Sequence, residues 1–168
     1  MGEVINIILE KYAKEKFNIL FKEKKIMVRP YEAFPDAITL KQAVPQEFNK
    51  NYYEKIDKLN GEELNFLRRL DLDALPNIKY WARNREKVDP FYIQGWKRGK
   101  FYPDFVAVTK KGIIIALEWK GEDRISNEDT AYKTEVGELW ANFDESKLHF
   151  FLVHNGNIEA VLKEIKEL

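Results

Sequence analysis

The sequence predicts an α/β fold in which helices cover a central mixed β-sheet. Between residues 60 and 168, stretches with helically spaced apolar residues alternate with short apolar stretches that are typical of strands. The stretch 113–117 is apolar on both faces, as expected of a strand that is covered on two sides. The resulting order of helix, three strands, helix, strand and helix is that of a layered α/β domain.

The first third of the chain is predicted to be a flank rather than part of the core. Apolar residues at roughly helical spacing predict an N-terminal helix within residues 3–25. Residues 29–50 contain three prolines and little periodicity, which predicts an irregular connector with room for one short strand. We therefore interpret the chain as a single domain, residues 1–168, with a flank and connector at 1–59 and the core at 60–168.

The core elements each have a recognisable pattern. A helix is predicted to begin at Asn60 or Gly61, with three leucines on one face, and to end within residues 71–76. Strands are predicted at 77–83, 101–109 and 113–117. A second helix starts near residues 126–129 and carries an apolar stripe, followed by a strand at 147–154 and a closing helix at 157–168; the stripe is Tyr132, Val136, Leu139, Trp140 and Phe143.

Composition narrows the possible functions. With 168 residues, 45% of them apolar, the chain can bury one substantial core. It has no cysteine, so a metal must be held by oxygen or histidine ligands. No apolar run is long enough to span a membrane and no secretory signal is evident, which predicts a cytoplasmic protein without a membrane partner.

Lysine plus arginine equals aspartate plus glutamate, so any attraction to nucleic acid must be local. Two segments do combine basic and aromatic residues, 80–85 and 96–102. Such segments can contact phosphates while their rings stack on bases. The predicted nucleic-acid contacts are therefore Arg83, Arg85, Lys97 and Arg98; the alternative is that the rings belong to the core and the charges to its solvated rim.

The turn at residues 110–112 fixes which residues face each other across the predicted hairpin. Its glycine can supply the positive φ that a three-residue loop commonly needs. Pairing Thr109 with the residue after the turn places Asp104 opposite Glu118. Because side chains alternate between faces, Lys120 shares the face of the two carboxylates and Trp119 lies on the other.

This arrangement has the chemistry of a metal site. Two facing carboxylates repel each other unless a cation or proton lies between them, and oxygen ligands favour Mg²⁺, with Mn²⁺ as a substitute. Such a metal can polarise a phosphodiester, and Lys120 can orient a water or stabilise developing negative charge. Other Glu-x-Lys triplets occur in the chain, but only this one follows a Pro-Asp, a turn and a buried strand. The alternative is a salt-bridge cluster at a strand end, and a register slip by one residue would separate Asp104 from Glu118.

These residues resemble the PD-(D/E)xK nuclease superfamily, with Pro103-Asp104, Glu118 and Lys120 as its motif. The sequences Tyr102-Pro103-Asp104-Phe105, Glu118-Trp119-Lys120-Gly121 and Trp81-Ala82-Arg83-Asn84 are similar to the C-terminal endonuclease domain of type III restriction subunits and related DEAD/DEAH-box helicases. The resemblance covers roughly residues 34–143. It implies a restriction-endonuclease-like αβββαβ core with an N-terminal helical extension.

The resemblance also implies further site residues. A glutamate on the helix before the first strand corresponds to Glu63, with Glu62 as the fallback. A lysine on the helix after the Glu-x-Lys corresponds to Lys133, which is a further predicted nucleic-acid contact. The backbone carbonyl of Trp119 is implied as a third metal ligand beside Asp104 and Glu118. Each side chain has an ordinary alternative, Glu63 as a helix-start glutamate and Lys133 as a solvated helix lysine.

The expected function is that of a Mg²⁺-dependent DNA endonuclease from a restriction or helicase-nuclease system. The chain lacks a Gly-x-x-x-x-Gly-Lys-Ser/Thr loop, so no ATP site is expected. A helicase or ATPase motor, a methylation subunit and a second copy of the chain are the expected partners besides DNA. The alternatives are a non-cleaving nucleic-acid-binding or inter-domain module, and a protein-interaction module with no nucleic-acid role.

Overall fold

The computed structural model describes residues 2–26, 34–45, 47–70 and 72–168. The elements, in chain order, are α1 Gly2–Lys22, β1 Ala43–Pro45, β2 Lys55–Asp57, α2 Gly61–Leu70, β3 Ile78–Arg83, β4 Phe105–Thr109, β5 Ile114–Trp119, a short 3-10 turn Glu122–Arg124, α3 Glu128–Ala141, β6 Leu148–Val153 and α4 Ile158–Glu167. The predicted order from residue 60 is confirmed. Pro30 and Asp71, which belonged to the predicted connector and helix end, lie outside the described residues.

The central sheet has the strand order β3-β4-β5-β6. Strands β3, β4 and β5 pair antiparallel in succession, and β6 pairs parallel to β5. A parallel pair requires a crossover connection. The segment that contains α3, which lies between β5 and β6 in the chain, provides it. The sheet is therefore mixed, as the sequence predicted.

Helices cover both faces of the sheet, and β4 and β5 are therefore buried on both sides. On one face, Phe105, Ile115 and Leu117 pack with apolar residues of α2 and α4. On the other face, Val106 and Ala116 pack with the buried stripe of α3, which consists of Tyr132, Val136 and Trp140. Burial of both faces explains why β5 lacks the alternation of polar and apolar residues that half-exposed strands show.

The N-terminal helix packs beside α3, as the predicted flank. Phe17 lies edge-on to Trp96, and Lys14 forms an ion pair with Glu135 of α3 at 2.7 Å. The first half of α1 carries large apolar side chains that remain exposed, among them Ile8 and Tyr12. In the described part of the chain, no helix is both long enough and apolar enough to cross a membrane.

Two predicted boundaries shift in the structure. The strand expected from Phe101 begins at Phe105, because Phe101 forms a separate bridge with Ile93 and Pro103 has no N–H to donate to the sheet. The strand expected to end at Leu117 continues to Trp119. A small two-stranded sheet, β1 with β2, adds a second strand that the sequence did not predict.

Candidate active site

A cleft of 190 Å³ lies where the start of β4 and the end of β5 meet the N-terminal halves of α2 and α3. We refer to it as the carboxylate cleft. It brings together the predicted catalytic residues and one predicted nucleic-acid contact; its lining includes Glu63, Asp104, Glu118, Trp119, Lys120 and Lys133. Residues up to 73 positions apart in the chain, from Asn60 to Lys133, thus line one cleft.

The hairpin register is the one that the turn predicted. Val108 pairs with Ile114 and Val106 with Ala116, and Gly112 has a φ of 80°. Continuing this register by one more pair on the same face places Asp104 opposite Glu118. Lys120 contacts Glu118, whereas the Trp119 ring packs against the opposite core, stacked on Phe66 with ring centroids 4.7 Å apart. The predicted division of the two faces is therefore confirmed.

Asp104 is held at the base of the cleft by a main-chain hydrogen bond. The Trp119 N–H donates to its Oδ2 at 2.8 Å. Burial, followed by repulsion from Glu118, raises the pKa of Asp104 to about 7, although the Trp119 N–H and two nearby lysines act in the opposite direction. The charge on Asp104 is therefore unfavourable in the isolated chain, which is the electrostatic environment that a bound cation relieves.

Glu118 is almost fully buried, and only one of its two carboxylate oxygens has a partner. Its Oε1 contacts the ammonium groups of Lys120 at 2.8 Å and of Lys133 at 3.1 Å, while its Oε2 is buried without a hydrogen-bond partner. A buried carboxylate oxygen without a donor is costly, so this atom is a candidate ligand for a cation.

Lys133 is bound to carboxylates on two elements. Besides Glu118, it contacts Asp129 at 3.2 Å, one turn earlier in α3. Burial acts to lower the pKa of Lys133, but the two carboxylates outweigh it and raise the pKa above its ordinary value. Lys133 is therefore a fixed positive charge in the cleft at any physiological pH, rather than a freely solvated helix lysine.

Glu63 reaches the margin of the cleft while also capping α2. The Asn60 N–H donates to Glu63 Oε2 at 3.0 Å, and the Glu63 N–H donates to Asn60 Oδ1 at 2.8 Å, which is a reciprocal capping box. The other oxygen of Glu63 pairs with Arg83 at 2.7 Å. Both oxygens are thus engaged, so a role for Glu63 at a metal stays a prediction that requires one of these contacts to open.

The remaining predicted nucleic-acid contacts differ in their surroundings. Arg85 is largely buried between Asp57 and Asp89 and also donates to the Thr39 carbonyl. Lys97 pairs with Glu10 of α1 at 3.1 Å and lies over the Tyr132 ring. Arg98 is exposed. Their contacts with nucleic acid stay predictions, and Arg85 has a structural role of its own.

The residues of the cleft fit a divalent cation in part. Among the described residues, no group of three or more Asp, Glu, His or Cys side chains is close enough together to hold a metal. Asp104 and Glu118 form a pair, and the unpartnered Glu118 Oε2 supplies an available oxygen. A backbone carbonyl and waters would have to complete the coordination, a mixture that Mg²⁺ accepts because it usually keeps several waters.

Two participants in the site were not predicted from the sequence. Asn60 belongs to the cleft lining through the capping box, and the pattern Asn-x-x-Glu was its available signal. Arg124, in the 3-10 turn, lines the same cleft and had no signal, because its position depends on the path of the loop after Gly121.

Comparison with known proteins adds no further evidence: no family model, no curated protein and no solved structure matches this chain.

Proposed function

We propose that this chain is a metal-dependent DNA endonuclease that hydrolyses phosphodiester bonds at the carboxylate cleft. The observation that carries the proposal is the facing pair of the half-buried Asp104 and the buried Glu118, with one Glu118 oxygen lacking a donor and Lys120 beside it. The order of elements from α2 to β6 and the mixed sheet support a restriction-endonuclease-like fold, in which these residues occupy the motif positions.

Asp104 and Glu118 would hold Mg²⁺ or Mn²⁺, together with the Trp119 carbonyl. The metal would supply Lewis-acid activation of the scissile phosphate and of a water molecule. Lys120 is largely buried and tied to Glu118, so its ammonium is held in place to orient the attacking water or stabilise the negative charge that develops on the phosphate. Lys133, on the other side of Glu118, contributes a second fixed positive charge.

The overall reaction is hydrolysis. The water oxygen forms a bond to phosphorus, the bond from phosphorus to the leaving sugar oxygen breaks, and the proton lost by the water balances the proton gained by the leaving oxygen. No redox partner or nucleotide is consumed. The absence of a nucleotide-binding loop from the sequence supports a division of labour in which a helicase or ATPase partner supplies any dependence on ATP.

The ion pairs of the cleft favour one other function. Lys120 and Lys133 already neutralise Glu118, as they would in a structural cluster that fixes α3 against β5. In that case the chain would be a non-cleaving nucleic-acid-binding or inter-domain module. The two functions differ in whether Asp104 and Lys120 are needed for cleavage.

The test is nicking of supercoiled plasmid DNA in Mg²⁺ or Mn²⁺. We expect nicking by the wild type, none in chelator, and loss of at least about 100-fold in Asp104→Asn and Lys120→Ala, since each removes a group that acts on the reacting phosphate. The chain provides matched controls: Asp36→Asn lies in the other Pro-Asp sequence and Lys147→Ala in another Glu-x-Lys sequence, and both residues are exposed. Nicking that persists in chelator, or that the control variants lose equally, would refute the mechanism.

A further inference from the structure

A second cleft adjoins the carboxylate cleft on the side of α2. It has a volume of 570 Å³ and extends from α2 to the turn between β6 and α4. We refer to it as the arginine cleft, after Arg69. The two clefts share Glu62, Trp119 and Gly121, so the surface is continuous from Asp104 and Glu118 to Arg69.

Among the described residues, Arg69 has only neutral hydrogen-bond partners. Its guanidinium donates to the side-chain oxygen and the backbone carbonyl of Asn155, which are both neutral acceptors. Its neighbour Arg68, in contrast, forms a two-nitrogen contact with the carboxylate of Glu47. Within the described residues, no carboxylate forms an ion pair with Arg69.

The acidic residues of the arginine cleft lie nearer to another cation. Glu62 and Asp123 both contact Arg124, at 4.0 and 3.7 Å. Arg69 is exposed, and its bonds to Asn155 hold the guanidinium in one orientation. A guanidinium that is oriented in advance binds phosphate well, because little side-chain freedom is lost on binding.

Trp119 lies at the boundary between the two clefts, with its ring packed against the core. The Trp119 ring stacks on the ring of Phe66, which also lines the arginine cleft. The amides of Asn65 and Asn155 lie along the same cleft and are typical donors to sugar and phosphate oxygens. Amide donors along a cleft that continues from the carboxylate cleft match the hydrogen-bonding groups of a nucleic-acid backbone.

We propose that the arginine cleft binds a phosphate of the same DNA strand that is cut, beside the scissile phosphate, with Arg69 as its principal contact. This inference rests on the proposed function, because it assigns the path of the substrate through that site. It identifies Arg69 as a binding residue that sets affinity and strand position, distinct from the groups that act on the reacting phosphate.

The test is equilibrium binding of a fluorescein-labelled oligonucleotide, in chelator so that no cleavage occurs. We expect Arg69→Gln to raise the Kd about tenfold and to reduce the slope of log K against log salt by about 0.7 to 0.9, the value for one lost phosphate contact. Arg69→Lys keeps the charge but not the oriented guanidinium, so it should keep the wild-type salt slope and lose less affinity than Arg69→Gln. Lys111→Gln is the matched control, since it removes one exposed charge at the hairpin turn, at the far end of β4 and β5.

The outcomes separate this inference from the proposed function. If the wild type nicks DNA but Arg69→Gln binds as Lys111→Gln does, the arginine cleft is not a phosphate site, while the nuclease proposal stands. If the wild type neither binds nor nicks DNA, both proposals fail. A purely structural role for Arg69 would lower the melting temperature of the Gln and Lys variants alike without changing the salt slope, and this result would also overturn the inference.

Discussion

The sharpest consequence of the buried carboxylate pair is that neutralising Asp104 should stabilise the chain. In the absence of metal, burial and the charge of Glu118 both oppose ionisation of Asp104, and they raise its pKa from 3.8 to about 7. Asp104→Asn removes this charge but keeps a side-chain oxygen that can accept the Trp119 N–H. The variant should therefore be more stable than the wild type while being inactive.

The size of the stabilisation in Asp104→Asn follows from the raised pKa of Asp104. At about 1.4 kcal/mol per pKa unit, the difference between 3.8 and about 7 corresponds to about 4 kcal/mol. The amide of the variant must also be buried, and the effective dielectric at such sites is high, so we expect about half of this, about 2 kcal/mol. For a chain of this size, about 2 kcal/mol is a rise of roughly 4 to 8 °C in Tm.

The raised pKa of Asp104 also determines how the stability of the chain changes with pH. A carboxyl whose pKa is higher in the folded chain binds more protons when folded, so it makes stability fall as pH rises from about 4 to about 7, with the full loss present above about 7. The advantage of Asp104→Asn should accordingly be absent near pH 4 and complete near pH 8. Urea unfolding in chelator at several pH values measures the difference in stability between the variant and the wild type. Asp36→Asn, which removes an exposed carboxylate, is the matched control.

Adding Mg²⁺ should make the wild type more stable than Asp104→Asn, the reverse of the result in chelator. A cation that binds only the folded wild type stabilises it by about 2.7 kcal/mol at a hundredfold excess over Kd, while Asp104→Asn should gain much less. An Asp104→Asn variant that is less stable than the wild type near pH 8 in chelator would refute the reasoning. It would mean that the Trp119 N–H contact with a charged oxygen outweighs burial and repulsion.

Two further predictions concern stability rather than catalysis. Gly137→Ala should destabilise the fold by about 1 to 3 kcal/mol in urea unfolding, because a Cβ there would lie 2.5 Å from the Phe150 ring, whereas Gly99→Ala, with nothing within 4 Å, should have little effect. Arg85→Ala should cost about 3 kcal/mol, because it leaves Asp57 and Asp89 without their shared partner, while Arg98→Ala, at an exposed site, should stay within about 0.5 kcal/mol. An unchanged unfolding midpoint in either Gly137→Ala or Arg85→Ala would contradict the packing or pairing described.

The parts of the site that depend on local geometry could be predicted from the sequence. The turn at residues 110–112 has a glycine where a positive φ is needed, and this single feature fixes the register that brings Asp104 to Glu118. Side-chain alternation then assigns Lys120 and Trp119 to opposite faces without further information. Local rules were sufficient here because both strands belong to one hairpin.

The parts that depend on distant contacts could not be predicted. Arg85 and Lys97 look alike in the sequence, as basic residues beside aromatic ones, yet Arg85 meets Asp57 from β2 and Lys97 meets Glu10 from α1. The arginine cleft joins α2 to the turn after β6, so Arg69 and Asn155 come together only in the folded chain. Spacing along a strand or helix carries no information about such pairs.

The two oxygens of Glu118 have different contacts, and this difference links the stability of the fold to the proposed chemistry. Lys120 and Lys133 both contact Oε1, so they offset part of the cost of burying the carboxylate without occupying Oε2. A cation could therefore use Oε2 while both ammonium groups keep their positions. Removing Lys133 would leave Glu118 less compensated, whereas removing Lys120 would also take away the charge proposed to act on the phosphate. The two lysines should thus differ in their effect on nicking even though each forms the same kind of ion pair.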